Sequence, residues 1–331
     1  MKISVVGAGS WGTAFARMTA INGNETFLWA RRKEQVDSIR REKQNEEYLP
    51  GFTLPEDNFI ITNDLEAVVS HPETLFMAVP SFAMRDMAKK VNRELLNPDI
   101  NVVSLAKGLE KDTFKPMSTI LSEELSVERI FALSGPSHAE EVALGYPTAV
   151  VLAGDLNFGK VLQKELTTSY FRVYLKRDIK GVEYCGAMKN IIAISTGLAQ
   201  GLGFGDNAMG TLIARGLAEL IRFGNVLNLK KQTFFGLAGV GDLVATCASK
   251  HSRNRSFGYR VGQGESIEAI SDDMNMIVEG RRATKIFYEL GREKGIELPI
   301  TESLYRVLYR GRDPMAEVER LMNRETKIEN I

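Results

Sequence analysis

The sequence contains few of the side chains that build metal sites and disulfide frameworks. Among its 331 residues are 2 cysteines and 3 histidines. Cys185 and Cys247 are too few for a disulfide framework and have no metal-site spacing, so we expect them to pack rather than to react. A zinc site needs several such ligands to converge, and the histidines at positions 71, 138 and 251 are far apart in sequence. We therefore expect no bound metal and a reducing, cytoplasmic location.

Long hydrophobic runs and an excess of charge of one sign are missing as well. No segment reaches the roughly eighteen uninterrupted apolar residues of a membrane-spanning helix, and residues 3–6 resemble a structural strand rather than a signal core. The 42 basic residues balance 42 acidic ones. Neutrality argues against a general nucleic-acid binder or a membrane-surface protein, but it permits a small basic pocket for an anionic ligand.

The first half of the chain alternates β-branched runs with helix-forming stretches. This alternation is typical of a parallel sheet with helices on both faces. The strand candidates are residues 2–6, 25–29, 59–62, 74–78, 101–104, 130–133, 149–152 and 171–174. We predict an α/β domain over residues 1–177, built on a doubly wound sheet of the Rossmann type.

The second half of the chain has a different pattern. Residues 181–227 are rich in Ala, Ile, Leu and Met and show no strand alternation. Further helices are expected at 279–294 and 301–308, where Pro299 suits a helix start. We predict an all-helical domain over residues 178–331.

A glycine-rich turn follows the first strand candidate. Gly7, Gly9 and Gly12 form a GxGxxG pattern around Ser10 and Trp11, in the strand–turn–helix context that gives the pattern meaning. The first glycine permits a tight turn, the second lets the backbone approach a pyrophosphate, and the third lets the helix pack on the strand. Backbone N–H groups at the helix start then bind the diphosphate, so the pattern predicts a dinucleotide cofactor.

The residues after the second strand candidate indicate which cofactor binds. NAD sites usually place an acidic residue there to accept hydrogen bonds from the ribose hydroxyls. This sequence has Arg31, Arg32 and Lys33 instead. Three adjacent cations suit a 2′-phosphate, so we expect NADPH to bind at least as well as NADH. A solvated basic helix start is the alternative interpretation.

Six further strings point to one family. They are SLAKGLE at 104–110, SGPSHAEE at 134–141, CGAMKNI at 185–191, GLGFGDNA at 201–208, GLAGVGDL at 236–243 and SRNR at 252–255. With the glycine loop they resemble the NAD(P)-dependent glycerol-3-phosphate dehydrogenases of the bacterial biosynthetic type. The resemblance implies a fold like that of 6-phosphogluconate dehydrogenase. It also implies reversible, NADPH- or NADH-dependent reduction of dihydroxyacetone phosphate to sn-glycerol 3-phosphate, which supplies glycerophospholipid synthesis.

Lys189 is the candidate for proton transfer in this reaction. It stands in the otherwise apolar stretch 186–194, where a lysine is costly unless it is functional or paired. The pKa of a free lysine lies above the range useful for acid–base catalysis, and desolvation together with a neighbouring cation, for which Lys107 is the candidate, would lower it. A surface lysine that extends its ammonium into solvent is the alternative.

The resemblance assigns roles to further residues. Lys189 accepts the proton in the oxidative direction, Lys107 lies beside substrate and nicotinamide, and Asp242 holds Lys189 in place. The residues expected at the substrate are Lys107, Gly135, Ser137, Lys189, Asn190, Asp242, Thr246, Ser252, Arg253 and Asn254, with the Arg253 guanidinium suited to a phosphate. Those expected at the cofactor are the glycine loop with Ser10 and Trp11, and Arg31, Arg32, Tyr48, Lys107, Ala139, Arg253, Ile277 and Glu279.

Two other functions stay open at the level of the sequence. The same architecture could act on a 3-hydroxyacid or a ketopantoate-like compound, whose site must pair a carboxylate rather than a phosphate. A nucleotide-sensing module that kept the glycine loop and lost its chemistry is the second alternative, and it predicts missing site residues. The fold class alone suggests a homodimer formed through the helical domain.

Overall fold

The computed structural model describes residues 1–70, 72–274, 278–326 and 328–329. The chain forms two compact units. Met1–Lys107 and Lys115–Val182 make up the first, and Gly108–Phe114 and Glu183–Ile331 make up the second. The sequence placed the domain boundary after residue 177, and no motif indicated that residues 108–114 belong with the helices.

The first unit is built on an eight-stranded sheet. Its strands are β1 (Lys2–Val6), β2 (Glu25–Trp29), β5 (Phe59–Thr62), β6 (Thr74–Met77), β7 (Asn101–Ser104), β8 (Arg129–Ser134), β9 (Thr148–Ala153) and β10 (Phe171–Lys176). A separate antiparallel pair consists of β3 (Gln44–Asn45) and β4 (Leu49–Thr53). The helices are α1 (Ser10–Ile21), α2 (Lys33–Glu42), α3 (Leu65–Val69), α4 (Met84–Glu94), α5 (Met117–Glu124), α6 (Ala139–Ala143) and α7 (Leu156–Leu166), with a 3-10 turn at Ser81–Ala83.

The strand order confirms the Rossmann-type prediction. The parallel strands lie in the order β5-β2-β1-β6-β7-β8, which is the dinucleotide-binding order with its reversal between β1 and β6. The central strand β1 is apolar and buried at Ile3, Val5 and Val6, because helices cover both faces of such a sheet.

The directions of two strands, β9 and β10, differ from the prediction. The alternation predicted a parallel sheet, but β9 runs antiparallel to β8, with Ala132 opposite Ala153, and β10 is parallel to β9. Parallel neighbours need a long crossover, usually a full helix. The segment between β8 and β9 carries only the five-residue α6, so the chain returns in the opposite direction.

The second unit is helical, as predicted, and its described residues form no strand. The long helix α8 (Ile179–Gly201) begins at the end of the first unit. It is followed by α9 (Asp206–Val226), α10 (Lys231–Phe234), a π-helical turn at Leu237–Gly241, α11 (Asp242–Ala248), α12 (Arg253–Gly262), α13 (Ile267–Asp273), α14 (Glu279–Lys294), α15 (Pro299–Arg310) and α16 (Pro314–Met322). Pro299 occupies the first turn of α15 as expected. None of the described helices is long and apolar enough to cross a membrane.

Four glycines bring α8 and α12 into backbone contact. A Cβ on Gly197 would lie 1.9 Å from a carbonyl oxygen of α12, and one on Gly258 would lie 2.0 Å from a carbonyl oxygen of α8. The same holds one turn later, at 2.2 Å for Gly201 and 2.5 Å for Gly262. Residues four apart share one helix face, so the two backbones touch along this crossing. The crossing fixes where α12 begins relative to α8.

The segment Gly108–Phe114 completes the core of the second unit. Leu109 is 2% exposed and belongs to the same apolar cluster as Met188 and Phe287. Phe114 packs against this cluster, and its carbonyl oxygen accepts a hydrogen bond of 3.4 Å from the Tyr184 hydroxyl. The helical core therefore includes side chains from the first half of the sequence.

Candidate active site

The glycine loop has the geometry that a diphosphate requires. Gly7 has φ +120°, and a Cβ there would lie 2.6 Å from the carbonyl oxygen of Ala78. A Cβ on Gly12 would lie 1.9 Å from the carbonyl oxygen of Gly7, whereas one on Gly9 would have no described atom within 4 Å. Gly7 thus permits the tight turn and Gly12 permits close packing of the helix on the loop. Gly9 leaves open space for a ligand before α1 begins at Ser10. These residues fit a dinucleotide cofactor.

Two expected cofactor residues lie together beside the start of α1. Ala139 is buried in an apolar cluster with Ala14 and Leu49, and Trp11 packs against that cluster. The Trp11 ring also contacts Phe15, with ring centroids 5.8 Å apart. The first turn of α1 is therefore held by side chains from α6 and from β4.

The three basic residues after β2 differ in their ion pairs. Lys33 pairs with Asp37 one turn later in α2, with Nζ 2.7 Å from Oδ2. Arg32, the N-cap residue of α2, pairs with Glu47, and Arg31 is exposed. Two of the three basic residues are therefore paired with carboxylates in this structure. The half-buried Tyr48 follows Glu47, and burial raises the pKa of its hydroxyl.

Three predicted substrate residues meet after β7 and β8. Lys107 donates a hydrogen bond of 2.8 Å from Nζ to the carbonyl oxygen of Gly135, and the Ser137 hydroxyl donates to the same oxygen at 2.9 Å. Gly135 has φ +134°, and a Cβ there would lie 3.0 Å from Val150. The strands are parallel neighbours, so their carboxyl ends bring these loops together at the edge where ligands bind in such sheets.

In the second unit Lys189 is buried, and its ammonium group makes two side-chain hydrogen bonds. The residue is 5% exposed, and its Nζ lies 2.5 Å from Oδ1 of Asp242 and 2.6 Å from Oγ1 of Thr246. Asp242 begins α11 and Thr246 lies one turn later, so both face the same side of the helix. The Thr246 hydroxyl also donates to the Asp242 carbonyl oxygen at 2.6 Å. This burial excludes the interpretation of Lys189 as a solvated surface lysine.

A chain of amides continues from the next residue of α8. Asn254 donates from Nδ2 to Oδ1 of Asn190 at 2.9 Å. Its Oδ1 accepts from the backbone N–H of Gly280 at 2.9 Å, immediately after Glu279 opens α14. Asn190 in turn donates to the carbonyl oxygen of Gly186 at 3.3 Å. The structure therefore assembles the side chains of α8, α11 and α12 that the resemblance assigned to the substrate.

The remaining residues of the SRNR string occupy the start of α12. Ser252 is the buried N-cap residue, and its hydroxyl oxygen accepts from the N–H of Arg255 at 3.3 Å. Arg253 is the first residue of the helix and is exposed. A helix start with an arginine is a favourable place for a phosphate. Ile277, expected at the cofactor, lies outside the described residues.

The cysteines contribute packing. Both are buried, and burial raises the pKa of the Cys247 thiol to about 11, so it stays protonated and unreactive at neutral pH. Within the described ranges, no group of three or more His, Cys, Asp or Glu side chains is placed to hold a metal ion.

Two residues at the glycine loop were not singled out from the sequence. Gln35 and Asn45 both donate a side-chain hydrogen bond to the carbonyl oxygen of Ala8, at 2.9 Å and 3.0 Å. Asn45 stands three residues before Tyr48 in sequence, which is the one signal that could have drawn attention to it.

Comparison with known proteins identifies the family. Models of the N-terminal and C-terminal domains of NAD-dependent glycerol-3-phosphate dehydrogenase match residues 2–157 and 178–319. A glycerol-3-phosphate dehydrogenase [NAD(P)+] from Geobacillus thermodenitrificans is 46% identical over 99% of this chain and 96% of its own. The crystal structure of glycerol-3-phosphate dehydrogenase from Coxiella burnetii matches with a TM-score of 0.93 at 37% identity, covering 98% of this chain and 99% of that one.

A more distant likeness concerns the fold alone. A ketopantoate reductase of the PanE/ApbA family from Ralstonia eutropha matches with a TM-score of 0.63 at 16% identity, over 97% of this chain and 100% of that one. The architecture is thus shared with enzymes of other substrates, whereas both domain models and the relative of high identity agree on one family. This chain belongs to the NAD-dependent glycerol-3-phosphate dehydrogenase family.

Proposed function

We propose that the protein reversibly reduces dihydroxyacetone phosphate to sn-glycerol 3-phosphate with NADPH or NADH, in the cytoplasm, and thereby supplies glycerophospholipid synthesis. Membership of the family supports the reaction. The observation that carries the mechanism is the buried Lys189, bonded to Asp242 and Thr246. The nucleotide-sensing alternative predicted missing site residues, yet this cluster is complete.

Lys189 is the general acid of the reduction. When bound, the nicotinamide cofactor supplies the hydride, and the protein must protonate the emerging alkoxide. The Asp242 carboxylate lies 2.5 Å from Nζ, so it can offset the cost of burying the ammonium group that donates the proton. In the oxidative direction the same Nζ receives the proton. Asp242 and Thr246 fix the direction of the ammonium group, and Asn190 offers a further polar group to the substrate.

The start of α12 binds the substrate phosphate in this proposal. Arg253 provides a guanidinium, and the N-terminal end of the ten-residue helix provides backbone N–H groups. Asn254 is held by its bonds to Asn190 and Gly280, which orient it. Lys107, Gly135 and Ser137 contribute from the loops after β7 and β8.

The cofactor contacts are proposals of the same kind. The residues proposed to hold it are Gly7, Gly9, Ser10, Trp11, Gly12, Arg31, Arg32, Tyr48, Lys107, Ala139, Arg253, Ile277 and Glu279. Arg31 and Arg32 support a preference for NADPH. The fold class further suggests a homodimer through the helical unit, which sedimentation analysis of the purified protein tests directly.

The test is an absorbance assay of NADPH oxidation with dihydroxyacetone phosphate, repeated with NADH and with ketopantoate. We expect turnover with the phosphorylated ketone, and activity confined to ketopantoate would overturn the proposal. Arg253→Ala should raise KM for dihydroxyacetone phosphate by about tenfold or more, because a charge-assisted pair to phosphate is lost. Arg260→Ala is the matched control on the same helix, since Arg260 pairs with Glu265 and Asp273 instead. An unchanged KM in the Arg253 variant would assign the phosphate to other residues.

A further inference from the structure

The β3–β4 hairpin is attached to the helix that follows the glycine loop. Asn45 donates from Nδ2 to Oγ1 of Thr13 at 2.8 Å, and Arg17 donates from Nε to the carbonyl oxygen of Thr53 at 2.8 Å. Leu49 packs in an apolar cluster with Ala14 of α1. The hairpin lies outside the eight-stranded sheet, so its contacts with α1 are a feature added to the Rossmann-type plan.

The same hairpin reaches the glycine loop itself. The carbonyl oxygen of Ala8 accepts one hydrogen bond from Nε2 of Gln35 and one from Nδ2 of Asn45. A carbonyl oxygen has two lone pairs and can only accept, so both are used and both amides must turn their nitrogen towards it. Asn45 is 1% exposed and shares its two amide hydrogens between Ala8 and Thr13.

The two hydrogen bonds to the Ala8 carbonyl also set the direction of the N–H group in the same peptide unit. No peptide bond of the described residues is cis, and in a planar trans peptide the N–H points opposite to the C=O. The direction of the Ala8 carbonyl therefore determines the direction of the Gly9 N–H. An added Cβ on Gly9 would have no described atom within 4 Å, and Gly9 immediately precedes α1.

We propose that Asn45, together with Gln35, is a positioning residue that aims the Gly9 N–H at the cofactor diphosphate. The proposal rests on the proposed function only in taking a nicotinamide dinucleotide as the ligand of this loop. The diphosphate is common to NADH and NADPH. Loss of Asn45 therefore weakens the binding of both cofactors by the same factor. Arg31 is proposed to meet the 2′-phosphate, so its loss weakens the binding of NADPH alone.

The experiment measures cofactor binding directly by calorimetric titration of the full-length protein with NADH and with NADPH. The variants are Asn45→Ala and Gln35→Met, and the second keeps the length of the side chain while removing its donor. Gln44→Ala is the matched control, because Gln44 is the other residue of β3 and its amide bonds Glu46. Thermal unfolding of each variant shows that the titrated protein is folded.

We expect Asn45→Ala to raise Kd for both cofactors about tenfold, the usual effect of one lost hydrogen bond, and Gln35→Met to raise both by a comparable factor. The KM for the cofactor should rise in parallel, with kcat at saturating cofactor and KM for dihydroxyacetone phosphate nearly unchanged.

Kd values within twofold of the wild type in folded variants would overturn the proposal, as would an effect on NADPH alone. If Asn45→Ala does not fold, the Gln35→Met titration decides by the same criterion. The proposed function fails separately, if the wild-type protein binds both cofactors but does not oxidise them with dihydroxyacetone phosphate.

Discussion

Lys189 and Asp242 stabilise each other, so removing one of them has two separable effects. Lys189→Ala should lower kcat at least about 100-fold, because the proton donor is lost. The same change leaves the carboxylate of Asp242, which is 1% exposed, without its cation, and an uncompensated buried charge costs about 3–5 kcal/mol. Steady-state kinetics and urea unfolding measure the two effects.

A double variant separates stability from chemistry at this pair. Lys189→Met combined with Asp242→Asn removes both charges at nearly constant volume, and we expect it to recover much of the lost free energy of unfolding. Turnover should stay as low as in Lys189→Ala. Near-normal turnover in either lysine variant would remove Lys189 from the mechanism.

Glu219 is a second buried titratable group, and it affects the stability of the fold. On α9, its carboxylate accepts hydrogen bonds from the backbone N–H groups of Ile300 and Thr301 and from the Thr301 hydroxyl, at the start of α15. Burial nevertheless raises its pKa to about 7. Between the ordinary pKa of a glutamate and about 7, the folded state binds a proton that the unfolded state does not. Stability from this group is therefore fully present below that window and falls as the pH rises through it.

Glu219→Gln should flatten this pH dependence. Urea unfolding at pH 5, 6 and 7 is expected to show the wild type losing stability relative to the variant, by up to about 3 kcal/mol across the window. The comparison removes the contributions of other groups, because they are common to both proteins. Parallel pH profiles would show that Glu219 keeps its ordinary pKa in the folded protein.

At the scale of elements, the crossing of α8 and α12 connects packing with substrate binding. Gly258→Ala would place a Cβ 2.0 Å from a carbonyl oxygen of Ile194, so the helices must separate. We expect a loss of about 1–3 kcal/mol or more in unfolding free energy. Because α12 begins with Arg253 and Asn254, KM for dihydroxyacetone phosphate should rise as well.

Gly210→Ala is the control for that substitution. Gly210 lies within α9, and a Cβ there would have no described atom within 4 Å. Alanine is the better helix former, so this variant should gain about 0.5–1 kcal/mol. If Gly258→Ala were as stable as the wild type, the close approach of the two helices would not hold in solution.

The sequence predicted elements best where burial imposes a pattern. The strands of the large sheet are apolar runs, and β2 and β7 begin and end where expected. The β3–β4 hairpin was missed because β3 has two residues and β4 contains Pro50 and Gly51, which are unfavourable in strands. The predicted directions of β9 and β10 were wrong because hydrophobic periodicity contains no information about strand direction.

In the candidate site, too, the residues that break a sequence pattern could be predicted and the others could not. Lys189 could be singled out because a charge in an apolar stretch breaks a pattern. The role of Asn45 could not, because an amide in the polar stretch 42–47 breaks none, and its hydrogen bond to Ala8 spans 37 residues of sequence. Contacts of that kind depend on the tertiary fold.

At the scale of the whole molecule, the helical unit depends on a segment from the first half of the chain. Leu109→Ala should lower the free energy of unfolding by about 2–5 kcal/mol, since it empties a site in the helical core. Leu96→Ala is the control, because Leu96 is 69% exposed and should change stability little. Urea unfolding measures both, and equal effects would place Leu109 outside the core.

Because Gly108–Phe114 belong to the second unit, they are synthesised long before most of the residues they pack against. Leu109 leaves the ribosome well before α14, which carries its core neighbour Phe287. At ordinary rates of translation the interval is roughly ten to thirty seconds. Over that time Leu109 and Phe114 lack the core neighbours that α14 supplies, while the surrounding strands can already pair. The nascent chain therefore exposes two apolar side chains until the later helices are made, and closing the helical core is a late, long-range step of folding.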